Sequence, residues 1–152
     1  MIDDLYLNNK TQTPIRVHVM LEPTAYMPEK AHRTDAGFDL KSRDSVIIPA
    51  HGDYTFDTGV HLEIPEGYVG FLKAKSGLNV KHGLTGTGVI DSGYTGSIIV
   101  KIYNNSSFNY KVGLGDKIIQ LVILPIPNIE LEQVMFLTET ERGNNGFGST
   151  GI

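Results

Sequence analysis

The 152-residue sequence contains no cysteine, which excludes a disulfide framework and a thiolate-bound metal. It has no excess of basic groups. Seventeen acidic against 13 basic residues leave a formal charge of −4, so the broad basic surface of a general nucleic-acid binder is not expected, and any anion site must be local. Long apolar runs are also missing: residues 121–126, the longest, are far too few to span a bilayer. The acidic start, Met1-Ile2-Asp3-Asp4, carries no apolar signal core, and a cytoplasmic protein without a membrane partner is the expectation. His18, His32, His51, His61 and His82 show no paired helical spacing, so a metalloprotease-type zinc site is not expected. No repeat and no linker divides the chain, and its length suits one domain able to bury a core.

What is present is a series of short strand-forming runs. Residues 15–20 alternate apolar and polar, as do 54–58 and 60–64; this period of two marks half-buried strands. Residues 36–40, 46–48, 68–72 and 98–103 add further strands, and 118–124 reads as one buried on both faces. Residues 131–137 read as a last strand. Residues 75–83 break the alternation and suggest a single helical turn closed by Gly83. The pattern predicts an all-β sandwich or barrel with at most one short helix. The body would span residues 1–140, and the glycine-rich stretch 141–152 would be a mobile C-terminal arm of the same domain.

The chain turns on Gly86-Thr87-Gly88-Val89-Ile90-Asp91-Ser92-Gly93-Tyr94-Thr95-Gly96-Ser97-Ile98. Gly93 and Gly96 can take positive φ, which predicts a tight turn near Ser92-Gly93. The stretch reads as a β-hairpin, with Asp91 on the incoming arm and Tyr94 near the tip. Gly86 and Gly88 offer bare backbone to a ligand. A plain surface hairpin, with a solvated carboxylate and a packing tyrosine, is the other reading.

Four further segments carry candidate chemistry. Lys75-Ser76-Gly77 places a cation, a hydroxyl and amides at a helix start, a combination that can cradle phosphate; it lacks the P-loop pattern and equally suits a surface turn. Gln120 interrupts an apolar run and either satisfies a buried partner or reaches a ligand. Asp39 sits among apolar neighbours, as a site residue or as the start of an Asx-type turn. Gly146-Phe147-Gly148-Ser149-Thr150-Gly151 spells a dinucleotide fingerprint, but only Ile152 follows, so the required helix is not expected. With Arg142 this tail could still wrap an anionic aromatic ligand: the guanidinium would pair phosphate oxygens and Phe147 would supply a stacking face.

In sequence and in order, five segments resemble the motifs of the homotrimeric dUTPases. They are Ala36-Gly37-Phe38-Asp39-Leu40, Lys75-Ser76-Gly77-Leu78, Gly88 to Gly96, Gly115-Asp116-Lys117-Ile118-Ile119-Gln120-Leu121, and Arg142 to Gly151. The resemblance runs from about residue 15 to the C-terminus. It implies a distorted jelly roll, a homotrimer with three active sites at subunit interfaces, and hydrolysis of dUTP to dUMP and pyrophosphate. Such an activity limits uracil incorporation into DNA and supplies dUMP for dTMP synthesis. By similarity, Asp91 activates the water that attacks the α-phosphorus, and Tyr94 packs under the deoxyribose. Lys75, Ser76, Gly77 and Gln120 face the phosphates, and Asp39 supports that arm. Arg142, Gly148, Ser149 and Thr150 close over the γ-phosphate while Phe147 covers uracil. Magnesium is expected on the triphosphate oxygens.

The backbone at Gly88, Val89 and Ile90 suits the acceptor–donor–acceptor edge of uracil, and a mismatched base would leave buried groups unpaired, which can discriminate by about 10⁴-fold. Lys75 stands where the family usually has arginine, so a planar fork becomes a point charge. Two other readings are a dCTP deaminase of the same fold, which needs an acid working on the base, and a jelly-roll protein that binds an unknown regulatory partner.

Overall fold

The computed structural model describes residues 13–144 of the chain. Within them lie β1 (His18–Leu21), β2 (Phe38–Lys41), β3 (Val46–Ile48), β4 (Asp53–Glu63), β5 (Tyr68–Lys73), α1 (Ser76–His82), β6 (Leu84–Thr85), β7 (Thr87–Ile90), β8 (Ser97–Asn104), β9 (Tyr110–Val112) and β10 (Lys117–Pro125). Two four-stranded sheets, ordered β1-β4-β8-β6 and β2-β10-β5-β7, are joined by a small β3-β9 ribbon. Every paired ladder is antiparallel. This is the expected distorted jelly roll. No helix among the described residues is long and apolar enough to cross a membrane.

The strands form because their apolar residues recur at the period of the pleat. In β8, Ile98, Val100 and Ile102 point inward and are fully buried, while Ile99, Lys101 and Tyr103 face out. They meet Phe56 of β4, Leu72 of β5 and Ile119 of β10 in one core. The inward position that ends β8 holds Asn104, which is also buried. Its amide donates to the carbonyls of Ile48, Pro49 and Phe108 at 2.8–3.2 Å. Its Oδ1 accepts from the amide and hydroxyl of Ser106. Five bonds thus tie the 105–109 loop to the end of β3. Asn104→Ala leaves buried carbonyls without donors and is expected to cost about 2 kcal/mol. A lowered urea midpoint with an unchanged slope checks it.

Three expectations are corrected. The runs at 54–58 and 60–64 are one strand, β4, with a register irregularity between Asp57 and His61. Gly59 takes φ 63° there, and a Cβ would fall 2.6 Å from the Arg43 guanidinium, so only glycine fits. Residues 131–137 form no strand. Leu131, Met135, Phe136 and Leu137 are 86–96% exposed, and a strand without a ladder partner has nothing to hold it. Among the described residues, the last backbone tie to the body is the Ile126 amide on the Gly67 carbonyl, 2.8 Å.

The third correction concerns the stretch around Asp91. It is not a hairpin. β7 pairs with β5 in one sheet, and β8 pairs with β4 and β6 in the other. Residues 91–96 therefore cross from sheet to sheet. The tight turn at Ser92-Gly93 is present, closed by the Tyr94 amide on the Asp91 carbonyl at 3.0 Å. Neither Gly93 nor Gly96 uses positive φ. Gly96 is needed for another reason: a Cβ there would lie 2.6 Å from the Tyr94 hydroxyl.

Candidate active site

The segment between β5 and β6 behaves as its sequence suggests. Lys75 is extended at the helix boundary, with φ −71° and ψ 131°, and Gly83 closes α1 in the left-handed region with φ 68°. The helix is longer than the single turn expected, at seven residues. Ser76 and Gly77 are exposed at its start. An open cavity of about 410 Å³ lies between α1 and the start of β7, lined in part by Lys73, Ser76, Asn79 and Thr87.

Beside it the sheet register gathers the other basic-arm candidates. Asp39 of β2 lies opposite Gln120 of β10, which lies opposite Lys73 of β5. The Asp39 side chain is 6% exposed and is held by two lysines. Lys75 donates to its Oδ1, and Lys117 reaches its Oδ2 at 2.7 Å. Burial pushes the Asp39 carboxyl up, but the bonds from Lys117 and Lys75 outweigh it and hold the group below its ordinary value. Asp39 correspondingly raises Lys117. The Gln120 amide donates to the Ala74 carbonyl at 3.3 Å, which fixes the entry to Lys75. Gln120 thus has a partly buried partner, and Asp39 is a strand residue rather than an Asx turn.

Lys117 is the residue that sequence reasoning missed. Strict alternation along β10 would set it on the opposite face from Gln120. A register shift between Lys117 and Ile119 brings it to Asp39 instead, and no residue pattern marks that shift.

Asp91 and Tyr94 form a second, separate locus. Asp91 is exposed, and its carboxylate makes no hydrogen bond among the described residues. The Tyr94 ring lies over Gly96, and its hydroxyl donates to the Ser97 carbonyl at 2.8 Å. Gly88, Val89 and Ile90 belong to β7, which among the described residues pairs only with β5 and forms the edge of its sheet. Alternate main-chain groups of an edge strand have no ladder partner.

The two loci do not meet within one chain. Lys73 pairs with Thr87 at one end of the β5–β7 ladder, and Gly70 pairs with Ile90 at the other. Ser76 continues from the first end and Asp91 from the second, so about four strand residues, or roughly 13 Å, lie between them. Arg142 lies on the exposed stretch after β10. Phe147, Gly148, Ser149 and Thr150 lie outside the described residues. Among the described residues, no group of three or more His, Asp or Glu side chains is placed to hold a metal.

Comparison with known proteins adds to this geometry. The family model described as dUTPase matches residues 24–151. A deoxyuridine 5'-triphosphate nucleotidohydrolase of Candida albicans is 41% identical over 132 residues, 85% of this chain and 83% of that protein. A solved dUTPase of Staphylococcus bacteriophage 80alpha, a mutant form with dUpNHpp, superposes with a TM-score of 0.83 at 35% identity, covering 90% of this chain and 99% of the other. A mutant dUTPase of phage phi11 of S. aureus, whose structure describes coordination of a structural Mg(II) ion, gives 0.75 at 35% identity over 80% and 98% of the two chains. With residues 24–151 matched by the family model and relatives about 40% identical over most of its length, the chain belongs to the dUTPase family.

Proposed function

We propose that the protein hydrolyses dUTP to dUMP and pyrophosphate at sites shared between subunits of a homotrimer. The observation that carries the reading is β7. It is an edge strand of Thr87, Gly88, Val89 and Ile90, with no ladder on its outer side among the described residues, and it runs directly into an exposed carboxylate, Asp91. Open main-chain amides and carbonyls at Gly88 to Ile90 can pair with the acceptor–donor–acceptor edge of uracil. The sugar then lies towards Tyr94, whose ring is fixed over Gly96.

The chemistry is an in-line displacement. Asp91 takes a proton from a water as its oxygen bonds to the α-phosphorus, and the bond from that phosphorus to the bridging oxygen breaks. Pyrophosphate leaves with the bonding pair. General-base help of this kind contributes typically about 10²–10⁴ in rate. Lys75, Ser76, Gly77, Gln120 and Lys117 bind the phosphate chain, with Asp39 holding the arm in place. Bound through the triphosphate oxygens, magnesium would neutralise charge on the phosphoryl groups.

Sharing between subunits is supported by the separation of the two loci along the β5–β7 ladder. It is supported also by the exposed apolar stretch at Leu131, Met135, Phe136 and Leu137, which calls for cover from another chain. An apolar groove of about 400 Å³, lined by Val17, Val19, Phe38, Leu62, Leu121 and Ile123 among others, suits such a stretch from a neighbour. Residues 141–152 then act as a lid, with Arg142, Gly148, Ser149 and Thr150 on the γ-phosphate and Phe147 over the base. In the cytoplasm this activity limits uracil in DNA and supplies dUMP for dTMP synthesis.

Pyrophosphate release from dUTP, dCTP, dTTP and UTP, with and without magnesium, tests the reading. Turnover confined to dUTP is expected. Equal turnover of all four overturns it, and ammonia release from dCTP would assign the fold to deamination.

A further inference from the structure

A charged network lies outside the five motifs and ends on the turn that carries Asp91 and Tyr94. It draws on four segments: Glu22 after β1, Arg43 after β2, Asp57 and His61 on β4, and Ser97 at the start of β8. Arg43 bonds Glu22 at 2.9 Å and Asp57 at 3.1 Å. The Asp57 carboxylate accepts from Ser97 Oγ at 2.5 Å and from the Gly59 amide at 3.0 Å. His61 Nε2 faces Glu22 Oε1 at 3.1 Å, and its Nδ1 faces the Thr95 carbonyl at 2.8 Å.

Both partners of His61 are acceptors. A carbonyl oxygen has no proton to give. Glu22 bonds to His61 and Arg43, and these two contacts hold its carboxyl below the ordinary range, so it is ionised. Both bonds therefore require an N–H, and only the imidazolium has two. In the neutral ring one nitrogen would present a lone pair to an oxygen lone pair. With its proton held opposite Glu22, the ring would repel the Thr95 carbonyl.

Resting on the dUTP reading above, we propose that His61 is a positioning residue. As the imidazolium it clamps the sheet-to-sheet turn through the Thr95 carbonyl and so sets Tyr94 against the sugar. The charged groups acting on it are two anions, Glu22 and Asp57, and the cation Arg43 is bonded to both of them. The Thr95 carbonyl and then Glu22 raise its protonation above the ordinary histidine value of 6.5. The sign follows. The clamp is complete below the ordinary value and is lost as pH rises through the raised one. The same strand face supports the turn from its other side, because Ser97 gives its hydroxyl to Asp57 and its carbonyl to Tyr94.

Two measurements on the full-length protein test this. In the first, amide and imidazole NMR is followed from pH 5.5 to 9. His61 should carry protons on both nitrogens at the acid end, and the Thr95 and Tyr94 amides should titrate with it. Glu22→Gln removes the facing anion and should move that midpoint down. In the second, KM for dUTP should rise about tenfold across the same titration, the effect of losing one charge-assisted bond, and the preference for dUTP over UTP should fall with it. His61→Gln should be flat in pH, at the weak-binding level. Thr95 and Tyr94 amides blind to His61, or an unshifted midpoint in Glu22→Gln, overturn the clamp whether or not the protein turns over dUTP. Absence of any dUTP turnover, with the amide coupling intact, overturns the catalytic reading alone.

Discussion

Asp91→Asn is expected to lower dUTP turnover by about 10²–10⁴, the usual share of a general base. The substitution keeps the shape of the side chain and removes its capacity to take a proton. Nothing else depends on the carboxylate, since it is exposed and unbonded among the described residues. Stability should therefore be unchanged, and a non-hydrolysable dUTP analogue should bind as before. A loss in kcat with binding retained is the signature of an interaction used only in the transition state. Wild-type turnover in the variant would remove Asp91 from its role, whereas lost binding would make it a substrate contact.

The second large effect is expected at Asp39. Its buried carboxylate stands between two ammonium groups, Lys75 and Lys117. Asp39→Ala leaves those cations facing each other beside the phosphate arm. Breaking a fully buried pair costs about 3–5 kcal/mol. Here the lysine side chains are 28% and 41% exposed and can regain water, so about 2 kcal/mol is expected. The release of Lys75 should raise KM for dUTP, where a purely structural role would leave KM unchanged. The pH dependence has a definite sign. Because the folded carboxyl is held below its ordinary value, it stabilises the fold above that value, and the contribution fades as the solution is acidified through the lowered one. The wild type should lose stability faster than Asp39→Ala below about pH 4, near where an ordinary aspartate titrates. Parallel denaturation curves for the two proteins at several pH values check this, and equal acid sensitivity would show that the pair contributes nothing.

Features written in neighbouring residues were legible in the sequence. Gly83 closes α1 as its lack of a Cβ allows. The turn at Ser92-Gly93, the strand β3 stopped before Pro49, and the buried run of β10 follow from the residues themselves. What escaped depends on partners remote in the chain. The link from β7 to β8 resembles a hairpin because local signals cannot say which sheet each arm will join. Gly59 reads as a break between strands, although β4 continues through it with Arg43 packed over the missing side chain. Lys117 reaches Asp39 only through a register shift. His61 and Glu22 meet across 39 residues and gave no sign of it. An apolar run at 131–137 promises a strand, but a strand is a property of two segments, and no second one pairs with it among the described residues.

That last stretch has a consequence for biosynthesis. It is made after all ten described strands, so it is the last apolar stretch of the described residues to be added. None of the ladders among the described residues depends on this adhesive segment, so leaving it bare would be felt as stickiness rather than as unfolding.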